Sequence, residues 1–189
     1  MERRTGNQNR LLVILAALSL LVTLIGPSSA QQSGLLVSDD FSSGIDTDRW
    51  TVIDPLGDGT VTATGQGTAD ATADLTVPAG TSHDPWSTNR ALRLMQHIDD
   101  TDLDLRIKFD STPEAKYQIQ GLMIEQDADN WVRFDVYHNG SQHRALAATT
   151  TNGSTRARLS TGVNLTGSTW LHISRTGDVW TYAVSADGA

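Results

Sequence analysis

Between positions 102 and 109 the chain alternates without a break: Leu103, Leu105, Ile107 and Phe109 fall on one side, Asp102, Asp104, Arg106 and Lys108 on the other. A period of two marks a β-strand with one face on a core and one in water. No stretch from Leu35 onward sustains the period of a helix. Runs 117–126 and 131–138 flank the turn Asp127-Ala128-Asp129-Asn130 and read as an antiparallel hairpin. In the second run Val132, Phe134 and Val136 are expected on the core face. That leaves Trp131, Arg133, Asp135 and Tyr137 on the other face, with Gln118, Gln120 or Gln126 of the partner strand alongside.

Asn139-Gly140 and Asn152-Gly153 predict turns on either side of a strand over 144–151, because Asn and Gly tolerate positive φ. Runs 169–175 and 179–185, separated by Thr176-Gly177-Asp178, form a third hairpin. Runs 50–53, 61–64 and 72–77 are weaker strand candidates whose β-branched residues suit a pleated surface. About ten to twelve strands in one domain predict an all-β fold built as a two-sheet antiparallel sandwich.

Residues 1–30 read as a signal peptide. Arg3, Arg4 and Arg10 precede an uncharged run, 11–25, that is shorter than the roughly 20 apolar residues of a membrane span. Pro27-Ser28-Ser29-Ala30 then supplies a small-residue cleavage site. The protein is therefore expected to be secreted, with 31–36 a short linker and 37–189 the domain. The net charge is −8, and a leader carrying three Arg against one Glu makes the remainder more negative still. With Lys108 and Lys116 the only lysines, nucleic acid and anionic membranes are poor partners, because binding them relies on neutralising phosphate. Neutral polysaccharide or glycan remains. The absence of cysteine excludes a disulfide-stapled scaffold and a thiolate metal site. At the far end Ala186-Asp187-Gly188-Ala189 has the form of a hairpin turn with no strand after it, so the sandwich is expected to lack its last strands and to be attached to further extracellular domains.

Several stretches occur together: Asp39-Asp40-Phe41, Asp48-Arg49-Trp50, the segment from Val77-Pro78 through His83-Asp84-Pro85-Trp86 to Asn89-Arg90, and the segment from Gly121-Leu122-Met123 through Glu125 to Trp131-Val132-Arg133. In this order they resemble the concanavalin A-like superfamily, in particular DUF1349-type domains related to the C-terminal module of β-xylosidases, with a laminin-G-like jelly roll. The resemblance covers about 37–188. It implies a jelly-roll sandwich of two curved sheets and a lectin-like accessory role, binding carbohydrate without catalysing a reaction. The family pattern continues into further strands that this sequence lacks.

A sugar site needs flat apolar faces for the C–H side of a pyranose and planar polar groups for vicinal hydroxyls. His83, Trp86, Asn89 and Arg90 offer both within one Pro-containing loop. The competing reading makes Trp86 a cover for one end of the sandwich and pairs Arg90 with Asp84. A second candidate surface is the sheet face bearing Trp131, Arg133 and Tyr137, with Gln120 beside them; its competing reading is an ordinary solvated face. Trp170 and Trp180 are expected to pack in the core.

Glu125-Gln126-Asp127-Ala128-Asp129 superficially matches the Glu-x-Asp-x-(x)-Glu strand of lectin-like glucanases, which sets two carboxylates about 5–5.5 Å apart for retaining hydrolysis. It fails at the last position, and beyond the leader only Glu114 and Glu125 remain as glutamates. The chain is thus expected not to be an enzyme; a glycoside hydrolase domain or a non-binding spacer are the alternatives. No cofactor is required by any motif, although Asp127 and Asp129 with Asn130, or the loop of Asp54 and Asp58, carry oxygens of the kind Ca²⁺ prefers.

Overall fold

The structure, a computed structural model, describes residues 36–188 apart from Ser87. The expected leader, 1–30, lies outside the described residues. The expected domain from 37 to 189 comprises two compact units that divide between Asp99 and Asp100. The described residues contain eleven strands and no helix, so the all-β expectation holds.

In the first unit β1 (Thr51–Ile53) pairs with β4 (Arg93–Met95), and β2 (Thr60–Thr64) with β3 (Thr72–Thr76), both antiparallel. The motifs around Asp39 and Trp50 meet here. The Asp39 carboxylate accepts from Trp50 Nε1 at 2.7 Å and from Arg49 Nη1 at 3.1 Å, while the Phe41 and Trp50 rings lie 5.6 Å apart. Buried Gln96 extends this latch: its amide bonds both the N–H and the C=O of Val37, at 3.0 and 2.8 Å. A buried amide satisfied on both ends ties the opening segment in register as a strand partner does.

The second unit is a sandwich. Strands β6 (Ile119–Asp127), β7 (Asn130–His138), β8 (His143–Thr151) and β9 (Ser154–Val163) form one antiparallel sheet in sequence order. Strands β5 (Leu103–Phe109), β10 (Thr169–Thr176) and β11 (Val179–Ser185) form the other, in the order β11-β10-β5. β5 exposes every second residue, as its alternation requires. Leu171 and Ile173 of β10 and Val136 of β7 are fully buried, and Val132 and Phe134 of β7 are buried. The Phe134 ring lies 5.6 Å from that of Trp180 and 5.4 Å from that of Tyr182, joining the sheets. Trp180 thus meets the core through Phe134 on the inner face, yet is itself half-buried, so the expectation of a core tryptophan is met only in part. Trp170 does not share that face: it stands opposite Lys108 in the register, between inward-facing Thr169 and Leu171, and is only half-buried.

Two departures have physical causes. The turn pairs Asp127 with Asn130, but the ladder resumes at Glu125 opposite Trp131, so a β-bulge leaves Gln126 without a partner in the pairing. One extra residue shifts every later pair by one and turns the strand over. Gln120 consequently stands opposite Val136 and not beside Tyr137, and Glu125 takes the place beside Trp131 that Gln126 was expected to hold. The second departure is burial: Trp131, Arg133 and Asp135 are only 1%, 4% and 2% exposed. β7 is hydrogen-bonded on both edges and buried on both faces, so its charged face is not a solvated one.

Candidate functional site

The loop between β3 and β4 carries four expected site residues, and the structure divides them. His83 is tied down: its Nε2 lies 2.8 Å from Asp58 Oδ1, and its Nδ1 3.1 Å from the Thr81 carbonyl. The hydrogen bond to Asp58 pushes the His83 pKa above its ordinary 6.5, with the carboxylate's charge adding to the effect. Asn89 is also engaged, its Oδ1 accepting from Arg93 Nη1 at 2.7 Å. Trp86 and Arg90 are the outward pair. Trp86 is 40% exposed, while Pro85 immediately before it is buried and fixes the root of the loop. A partly exposed indole presents apolar ring surface of the kind a ligand can use.

The second candidate surface, on β6 and β7, is interior. Arg133 Nε lies 3.2 Å from Asp135 Oδ2. Glu125, opposite Trp131 in the ladder, is buried on the same face. Gly121 stands opposite Asp135, and a Cβ there would come within 2.6 Å of Asp135 Cα, so glycine lets the two backbones meet. Tyr137 is half-buried two residues further along β7. Gln120 leaves this set: its Oε1 accepts from Ser111 Oγ at 2.9 Å, and its Nε2 donates to the Ser111 carbonyl at 2.8 Å. Trp131, Arg133 and Tyr137 thus share a face, but one that holds buried charge and offers no open platform.

The acidic turn expected to carry calcium oxygens is hydrogen-bonded within itself. Asp127 accepts from the Asp129 N–H and, through both oxygens, from Asn130 Nδ2, at 2.8–3.0 Å. Both Asp127 oxygens are thus engaged in shaping their own turn. Among the described residues no group of three or more His, Cys, Asp or Glu is placed to hold a metal ion.

Sequence reasoning missed one feature of the second unit, a cavity of about 240 Å³ at the end of the sandwich. Trp131 and Thr149–Thr151 line it from the four-stranded sheet, and Arg175, Asp178 and Trp180 from the β10–β11 hairpin. The hairpin was legible as a turn, but nothing local to 176–178 tells which strand end it faces. In the first unit a larger, shallower hollow of about 550 Å³ is lined by Asp39, Asp40, Asp46 and Arg49 among others. Its one cation is already paired, Arg49 with Asp39 at 3.1 Å and Asp46 at 3.7 Å. Comparison of the chain with protein-family models, with curated proteins and with solved structures found no match in any of the three.

Proposed function

We propose that this protein is a secreted, non-catalytic binding module of concanavalin A-like, lectin type, which holds neutral polysaccharide through the Trp86 loop. The observation that carries the reading is the 40% exposure of Trp86 on a loop whose neighbouring Pro85 is buried and whose His83 is tied to Asp58. An indole held out by a braced loop is suited to the apolar face of a sugar ring, and exposed Arg90 stands four residues away to hydrogen-bond its hydroxyls. The net charge of −8 supports an uncharged partner, since acidic polysaccharides and nucleic acids would be repelled. The all-β architecture with face-to-face antiparallel sheets agrees with the resemblance on which the reading began.

The test is retention on insoluble xylan, cellulose and mixed-linkage β-glucan, measured by depletion from solution. Wild-type protein should bind at least one of them, and Trp86→Ala should lower the affinity about tenfold, as the loss of one aromatic stacking partner does. Equal retention of the two proteins would remove Trp86 from the site.

A further inference from the structure

We infer that the cavity at the β10–β11 end of the second unit is a separate binding site for a single neutral sugar ring. The groups lining it are complementary to such a ring. Trp180 supplies an aromatic wall. Arg175 is held in place from three sides: its Nη1 donates to Asp100, its Nε donates to the Gly177 carbonyl at 2.7 Å, and its guanidinium lies 5.5 Å from the Trp180 ring centre. This bracing leaves the Nη2 edge to offer its donors without further ordering. Asp178, exposed beside it, presents a carboxylate that accepts two hydrogen bonds, and exposed Thr151 presents a hydroxyl from the opposite sheet. A donor fork, a carboxylate and a hydroxyl are the set that grips vicinal hydroxyls, with the edge of the Trp180 indole, whose ring already packs on Arg175 and Phe134, bordering them.

The charges select the ligand class. The Arg175 cation is matched by Asp100, so an anion gains little there and meets Asp178; a cation meets Arg175 in turn. The neutral, acceptor-rich ligand is left. Size sets the last limit. The volume of about 240 Å³ lies under the roughly 300–1,000 Å³ of sites that enclose drug-sized ligands, so one ring enters and a polymer running through does not. The site would therefore read a chain end or a branch, whereas the Trp86 loop is an open platform.

The site stands on its own residues, none of them in the Trp86 loop, and one experiment separates the two. Methyl glycosides of neutral hexoses and pentoses are titrated into the full chain, followed by tryptophan emission and calorimetry, and then linear oligosaccharides from disaccharide to hexasaccharide. At least one glycoside should bind saturably and shift the emission, with Trp180→Phe reducing that shift. Asp178→Ala and Thr151→Val, both at exposed positions that leave the core intact, should each weaken it, Asp178→Ala about tenfold or more. Trp86→Ala should leave it unchanged, and affinity should not rise with oligosaccharide length. Binding indifferent to Asp178→Ala, or no response to any neutral glycoside, would overturn the pocket while leaving Trp86-dependent retention on polymer untouched. Loss of polymer retention in Trp86→Ala with glycoside binding preserved would support both sites.

Discussion

His83 shows how one side chain can tie a loop to a distant segment. Its hydrogen bond to Asp58 raises its pKa in the folded chain, so protonation favours the folded loop. The stabilisation is complete below the unfolded value of about 6.5 and is lost as pH rises through the folded value. An NMR titration should place the His83 midpoint above 6.5, and Asp58→Asn should return it toward that value. A midpoint unmoved by Asp58→Asn would remove the brace. Tyr182 is the corresponding anchor in the second unit: its hydroxyl donates to the Asp135 carbonyl at 2.9 Å. Burial pushes the Tyr182 phenol far up, with the nearby Asp135 charge adding to it, so it stays a donor at any working pH. Tyr182→Phe removes that hydrogen bond and should cost about 0.5–1.5 kcal/mol in urea unfolding; no measurable loss would mean that the ladder partner of the carbonyl suffices.

At the scale of the strand, β7 governs the second unit. It is buried on both faces, one meeting Trp180 and Tyr182 through Phe134, the other holding Arg133 and Asp135. Removing one member of a buried charged pair strands the other, so Arg133→Met should destabilise by about 3–5 kcal/mol, read from the denaturation midpoint. Gly121→Ala tests the close approach of β6 to β7. The added methyl meets backbone and not the end of a flexible side chain, so a loss of about 1–3 kcal/mol or more is expected. The strands themselves were largely readable. β5, β7 and the β10–β11 hairpin show their alternation or turn chemistry openly, whereas β4 has only three residues and β9 carries Arg156 and Arg158 among small polar residues. The bulge beside Gln126 was not readable, because nothing in Glu125-Gln126-Asp127 distinguishes a paired residue from an extra one. That single residue moved Gln120 off the expected face and put Glu125 on it.

For the molecule as a whole, charge and site chemistry bear on each other. A chain of net charge −8 that binds an uncharged ligand should show affinity nearly independent of salt, with less than about a twofold change when ionic strength rises tenfold. A steep salt dependence in the polysaccharide assay would point to a charged ligand and against both sites. Of the expected site, Trp86 and Arg90 lie where a loop residue next to a buried proline should lie, open to solvent. His83 and Asn89 are engaged by Asp58 and Arg93, which approach them from distant or neighbouring segments whose proximity has no local signal. By itself the sequence determined that the chain forms alternating strands and tight turns, since both follow from a two-residue period and from glycine and asparagine at fixed offsets. Only the tertiary structure decided the register after the bulge, the burial of both faces of β7 and the meeting of Thr151 with Arg175, Asp178 and Trp180. These depend on which strand lies beside or above which, and such contacts join residues far apart along the chain.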